Sequence, residues 1–526
     1  MKRILTTFMI GVAGTQMIFP SPDPRPKLVV GIVVDQLRTD YLENLKEMFG
    51  AGGFRRLMDQ GVYLKDLEYN VSPGDATSAT AIIQTGTYPR HNGVTGTKIY
   101  DPSSKSLKEV FTDPAYIGNF TNETYSPAAL RVNTLTDELT IESKNTSRIH
   151  SIAPDVGQAI AMAGHTGNSA FWINDETGKW ASTTYYPNPP AHFQNINYNN
   201  PLVSRLDGMK WTPLRPGEPY PYVSAQDTKD GFKYNFSRSD KDVFSLYKKS
   251  PYLNNDITQG AIEYISHLNL GKNYGTTDVL NLGYTLAPFP NVEDGDYRYE
   301  LEDAYLRLDK DLEDLFKTLD KEVGRDNVVV YLVSTGYFDE PLPDTNKYRL
   351  PGGNFSVKRA LSLLNAYLSA KYGNGAYVDQ YSGQNIYLSK ALLEEKGLDQ
   401  IKIAEEARDF LVRMSGVEDA FTLSDLINPS VPELTSLRQS IDPKTSGDVV
   451  LKFHPGWKVV DDSRYPSIEE PNKTAIYSTP GFISGPGIIP KIISEPVDVT
   501  AIAPTVAGIL RIRPPNSAET KAIKIK

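Results

Sequence analysis

Residues 27–35 read Lys-Leu-Val-Val-Gly-Ile-Val-Val-Asp. From Leu28 to Val34 the run is apolar, mostly β-branched and without polar alternation. That pattern predicts a strand buried on both faces, as in the middle of a parallel sheet. The run ends in Asp35. Ligand sites of open α/β sheets lie at the carboxyl ends of such strands, so this aspartate is a site candidate. Val328-Val329-Val330-Tyr331-Leu332-Val333 is a second buried run, and Asp278 to Leu282 is a weaker third. Leu301, Tyr305, Leu308, Leu312, Leu315, Phe316 and Leu319 recur at helical spacing, with Gly324 beyond them as a terminator. A further helical stretch carries Tyr41, Leu42, Leu45 and Phe49 and breaks at Gly50 to Gly53. Helix followed by buried strand, repeated, predicts an α/β core: a doubly wound, mostly parallel sheet flanked by helices.

Outside this core the texture changes. Met1-Lys2-Arg3 followed by the mostly apolar Ile4 to Phe19 predicts a signal peptide over about residues 1–20, with small residues at Gly11 to Gly14 suited to cleavage. No later segment approaches the ~20 apolar residues that cross a bilayer, so the mature chain is not expected to be an integral membrane protein. The expected address is the periplasm or the outward-facing surface of a Gram-negative cell envelope. Residues 27–350 form the first part of the core, and 185–260, rich in Asn, Pro, Tyr and Asp, are expected to be a loop-rich insertion. Residues 351–428 predict an inserted α+β cap. It has a helix on Val357, Leu361, Leu364 and Leu368 ending at Gly373, a strand at Asn385 to Leu388, and a helix near Ile403 to Met414. Residues 429–526 return to the core through Gly481 to Ile488 and a last helix from Val499 to Leu510.

Composition removes several classes of chemistry. Among 526 residues, 55 Lys and Arg stand against 64 Asp and Glu, a formal net charge of −9. A polyanion binder usually shows a basic excess, so nucleic acid is not an expected partner. There is no cysteine, which excludes disulfides, Cys-ligated zinc, iron–sulfur clusters and a Cys nucleophile. The six histidines are His91, His150, His165, His192, His267 and His454, and no two stand three or four residues apart. A helical zinc motif is therefore missing. No Gly-x-Ser-x-Gly elbow is present either. The acidic cluster Glu293-Asp294-Asp296 reads as a solvated loop before it reads as a calcium site. Tyr-rich stretches such as Thr184-Tyr185-Tyr186 and Pro219-Tyr220-Pro221-Tyr222 suit a contact surface and ordinary packing equally.

Several segments together resemble the alkaline phosphatase superfamily, in the branch of the secreted phosphate-irrepressible alkaline phosphatases and the nucleotide pyrophosphatase/phosphodiesterases. They are Val-Val-Asp-Gln-Leu-Arg-Thr-Asp-Tyr (33–41), Gly-Gly-Phe-Arg-Arg-Leu-Met (52–58) and Gln-Thr-Gly-Thr-Tyr-Pro-Arg-His-Asn-Gly-Val (84–94). Ala-Gly-His-Thr-Gly-Asn-Ser-Ala-Phe-Trp (163–172), Asp-Ala-Tyr-Leu-Arg-Leu-Asp-Lys-Asp-Leu (303–312), Gly-Pro-Gly-Ile (485–488) and Ile-Ala-Pro-Thr-Val-Ala (502–507) complete the set. The resemblance implies an alkaline-phosphatase-like fold. For working members it also implies two zinc ions about 4 Å apart that activate a Thr or Ser nucleophile and stabilise the leaving oxygen.

Carried over position by position, the resemblance finds most of that site replaced. Asp35 matches the first metal ligand. The nucleophile position falls on Ala76, with Thr77 and Ser78 beside it. An Asp-His ligand pair falls on Gly336 and Tyr337, and a late ligand His on Ser478. The stretch Gly283 to Val292 contains neither the Asp nor the His of a further ligand segment. The phosphate-holding Lys and Arg fall on Asp155 and Gly157, and a phosphate-binding Asn falls on Thr97. An Asp in place of a cation repels phosphate. The expectation is therefore a secreted pseudoenzyme with no catalytic residues and no metal or other cofactor, serving as a binding or scaffold component with a protein partner in the cell envelope. The alternative is a divergent phosphoesterase or other hydrolase with a site rearranged around Asp35 and Thr77, and only that reading calls for zinc.

Overall fold

The computed structural model describes residues 25–525 apart from 188, 274, 291–295, 340–350, 429–433, 465 and 472. The signal-peptide stretch, Glu293 and Asp294 lie outside the described residues. Leu28–Asp35 is a strand buried along its whole length. It pairs in parallel with Asp278–Thr285 on one side and Val328–Ser334 on the other. Ile149–Ile152 and Ser169–Ile173 extend the parallel set beyond Asp278–Thr285. Toward one edge of the ten-stranded sheet follow the antiparallel Gly481–Ser484 and Val62–Leu64 and then Lys491–Ile493, parallel to Val62–Leu64; toward the other follow the antiparallel Trp180–Thr183 and Gly118–Asn119.

Side chains alternate across a strand, and here both faces are covered. Leu28, Val30, Ile32 and Val34 pack with the helices Pro251–His267 and Arg298–Glu322, whereas Val29 and Val33 pack with Ala76–Thr85, Val156–Ala163 and Ile502–Leu510. Burying each such aliphatic side chain contributes about 1.5–3 kcal/mol. Double coverage is what makes the run in 28–34 uniformly apolar instead of alternating.

The insertion differs from the loop expectation. Residues 251–260 form the first part of the helix Pro251–His267, which buries Leu253, Ile257, Ala261, Tyr264 and Ile265. Asn255, Asp256 and Glu263 on its other positions dilute the apolar period in sequence. Buried acids of Arg298–Glu322 hold the rest of the insertion: Asp303 accepts from the Trp211 indole at 2.7 Å, and Glu302 accepts from the Tyr222 backbone at 2.7 Å.

The cap contains the expected helix, Val357–Tyr372 with Gly373 at its end, the strand Asn385–Leu388 and the helix Gln400–Leu411. Its four-stranded sheet also takes in Val449–Phe453, between Asn385–Leu388 and Val417–Thr422. The packed unit thus extends past residue 428, and Val449, Leu451 and Val459 sit in its apolar cluster. Among the described residues no helix is long and apolar enough to cross a membrane.

Candidate functional site

Asp35 ends the central strand and lies at the carboxyl edge of the parallel set. The next residue, Gln36, turns the chain at φ +61°. Its backbone N–H donates to the Thr335 hydroxyl at 3.1 Å, and that hydroxyl donates to Asp35 Oδ1 at 2.9 Å. Burial, reinforced by the neighbouring Asp339 carboxylate, pushes Asp35 up to about 7, although the Thr335 and Tyr337 hydroxyls nearby pull it down. Asp35 is thus held by hydroxyl groups and faces other acids.

The positions around it to which the resemblance assigns metal ligands are filled by protein. Gly336 has φ +75°, and a Cβ built on it would fall 1.9 Å from Cδ2 of Tyr69. The Tyr69 hydroxyl donates to the Ser334 carbonyl at 2.5 Å. Ser478 offers its carbonyl to the Thr39 N–H at 3.1 Å. The adjacent Tyr477 ring lies 3.4 Å from the Arg38 guanidinium, which is also paired with Asp40 at 2.7 Å. In the segment expected to carry further ligands, a Cβ on Gly283 would fall 2.8 Å from that of Ala153 and 3.0 Å from Cδ of Pro154, and Thr285 is clamped by the amide of Asn254.

Across the cleft the helix Ala76–Thr85 begins. Asp75 caps it, accepting from the Ser78 N–H at 2.9 Å in a capping box, so Ala76 is the first helical residue. The second Asp75 oxygen accepts from the Thr97 N–H at 2.6 Å. Thr77 is buried and its hydroxyl shares a 3.0 Å hydrogen bond with the Thr97 hydroxyl. A Cβ on Gly157 would lie 2.0 Å from the Thr77 Oγ1, so the absence of a side chain at 157 is what lets the two helices meet. The fold therefore brings Thr77, Thr97 and Gly157 together on one side and Asp35, Gly336 and Tyr337 on the other. A pocket lined by Ser78, Thr335, Gly336, Tyr337 and Tyr69 adjoins the second group; Thr77, Thr97, Gly157 and Asp35 do not line it.

Two cations here escaped the sequence reading. Lys248, on the helix Val243–Lys248 of the insertion, reaches Asp155 and, at 2.6 Å, Asp175. Burial would lower its ammonium, but Asp155 and Asp175 outweigh that and hold it above the ordinary lysine range. Lys473 donates to the Gly74 carbonyl at 2.5 Å and lies 5.1 Å from the centre of the Tyr337 ring. Neither lysine belongs to a motif, and no local signal in Lys248-Lys249-Ser250 or Asn472-Lys473-Thr474 distinguishes them from surface lysines.

The residues present do not fit the zinc pair that the resemblance implies. Among the described residues no three His, Asp or Glu side chains are grouped to hold a metal ion. Four of the six histidines are engaged elsewhere: His91 with Glu519 at 3.1 Å, His150 with Ser169 at 2.8 Å, His165 with Asp137 at 2.8 Å and His267 with Glu263 at 2.7 Å.

The family model described as type I phosphodiesterase/nucleotide pyrophosphatase matches residues 29–482. The chain belongs to that family. The match confirms the superfamily to which the sequence motifs point. Among its relatives, alkaline phosphatase PhoV of Synechococcus elongatus is 29% identical over 96% of this chain and 94% of its own. Alkaline phosphatase PafA of Elizabethkingia meningoseptica is 27% identical over 99% and 97%. The crystal structure of wild-type PafA superposes with a TM-score of 0.83 at 26% identity, covering 96% of this chain and 100% of that one. The alkaline-phosphatase-like fold thus covers 96% of this chain.

Proposed function

We propose that this chain is a non-hydrolytic member of the type I phosphodiesterase family that acts in the cell envelope by binding, with a protein partner. The observation that carries the reading is at Gly336 and Tyr337: the Tyr69 ring and the Tyr337 hydroxyl take the place where the resemblance implies an Asp-His metal pair. The charge around the site supports it, since Asp35 and Asp339 would meet a phosphate with like charge and Asp155 is already paired with Lys248. Phosphate-ester hydrolysis is among the slowest uncatalysed reactions known, and hydroxyl–carboxyl contacts alone offer no comparable stabilisation of its leaving oxygen.

A second reading, a divergent phosphoesterase, is favoured by relatives named as alkaline phosphatases along nearly the full length of the chain. Its nucleophile would have to be Thr77, whose hydroxyl is instead bonded to Thr97 under Gly157. Turnover of an aryl phosphate separates the two. The binding reading expects none above background with or without added zinc; turnover that disappears in Asp35→Ala establishes the hydrolase.

A further inference from the structure

We propose that Tyr69 is the residue that decides what the former metal position can hold: the site admits either the Tyr69 ring or a ligating side chain at residue 336, and never both. This rests on the non-hydrolytic reading above. Carbon atoms in ordinary contact stand about 3.5–4.0 Å apart. A Cβ on residue 336 would stand 1.9, 2.2 and 2.6 Å from Cδ2, Cε2 and Cγ of Tyr69. Three ring atoms inside the contact limit mean that the ring occupies the space of the Cβ itself, so no rotamer of a larger residue 336 avoids the overlap.

The ring also cannot simply withdraw. Its hydroxyl is tied to the Ser334 carbonyl, two residues before Gly336. On one side of it, Leu67–Glu68 pairs in parallel with Val497–Asp498, and the Leu67 N–H donates to the Thr479 carbonyl at 2.7 Å. On the other, the Asn70 side chain donates to Asp498 at 3.0 Å and its N–H to the Tyr88 hydroxyl at 3.3 Å. The backbone carrying Tyr69 is thus pinned from both directions, and protein interiors relieve such overlap only by strain. Gly336 and Tyr69 form one steric unit. Restoring the ligands by sequence leaves the site closed to a divalent cation until the ring is removed.

The test is a double-mutant cycle in the full chain, with Tyr69→Ala, Gly336→Asp and both together followed by Tm. The positive φ at 336 burdens Gly336→Asp in either background, so it cancels in the coupling. The expected result is a loss of several degrees for Gly336→Asp when Tyr69 is present and a clearly smaller loss in the Tyr69→Ala background; additive losses overturn the proposal. If Gly336→Asp yields no soluble protein, Gly336→Ala carries the same cycle with the same two outcomes. Titration with Zn2+ alone provides a second readout. Tyr337→His/Gly336→Asp is expected to bind it about tenfold or more weakly than the same protein with Tyr69→Ala. Equal affinity, including no binding by either, overturns the proposal. Stoichiometric zinc in the unaltered chain would defeat the non-hydrolytic reading instead, and additive Tm losses with a zinc-free unaltered chain would defeat the Tyr69 assignment alone.

Discussion

Lys248 reaches out of the 185–260 insertion to Asp155, the position at which the family resemblance implies a phosphate-holding lysine. A carboxylate stands there instead, and Asp175 pairs with the same ammonium. The two bridges tie the helix Val243–Lys248 to the start of the helix Val156–Ala163 and to Asp175.

That tie has an asymmetric energetic signature. The Lys248 side chain is 10% exposed, whereas Asp155 and Asp175 are 47% and 70% exposed. Removing the lysine lets both acids return to water, so Lys248→Met should cost only about 1–2 kcal/mol, between exposed and buried pairs. Asp155→Ala/Asp175→Ala leaves a buried ammonium unpaired and should cost about 3–5 kcal/mol. Urea midpoints of the two variants give the order; the reverse order would show that the bridge is not a buried-cation device.

Acids in the core set the dependence of stability on pH. Burial pushes Glu302 and Asp311 up to about 7, each partly countered by hydrogen bonds from the Tyr222 backbone and Asn255, and Asp35 joins them. A raised carboxyl binds its proton more tightly in the folded state. Its contribution is therefore complete below about pH 4, is lost as pH rises, and is gone above about 7. His150 opposes this below pH 6.5, because burial, aided by Arg148, pushes it down to about 4. Burial likewise pushes Glu109 up to about 7 and His192 down, and four raised acids outweigh two lowered histidines, so Tm should fall from pH 5.5 to pH 8. Glu302→Gln/Asp311→Asn should flatten that slope, and an unchanged slope would refute the assignment.

His165 should be an imidazolium at neutral pH. Its Nδ1 faces Asp137 at 2.8 Å and its Nε2 faces the Leu130 carbonyl at 3.0 Å, and both partners only accept. The bond to Asp137 raises the ring against the effect of burial. Selective 15N-histidine labelling should show both ring nitrogens of His165 protonated at pH 7; one unprotonated nitrogen would contradict the geometry.

How far the molecule is legible in its sequence depends on whether the relevant forces are local. The strands Leu28–Asp35 and Val328–Ser334 announce themselves because double burial leaves no polar residue in them before their last positions. Ile149–Ile152 and Ser169–Ile173 do not, since they are four and five residues long and carry His150, Ser151 and Ser169 inside the core. Ala76, Gly157, Gly336, Tyr337 and Ser478 draw attention in the sequence only because the family resemblance indexes them. What packs around such positions is not legible, because the partners are distant in sequence: Lys248 lies 93 residues from Asp155, and the Tyr69 hydroxyl meets Ser334 across 265. No local periodicity carries such pairings.

On the non-hydrolytic reading, side-chain packing stands where the family resemblance implies a metal pair. Elemental analysis of protein purified without chelators and dialysed against micromolar zinc addresses it most directly. The expected content is well below one zinc per chain, with Tm unchanged by a chelator; two zinc ions per chain, with Tm falling when they are removed, would contradict the account.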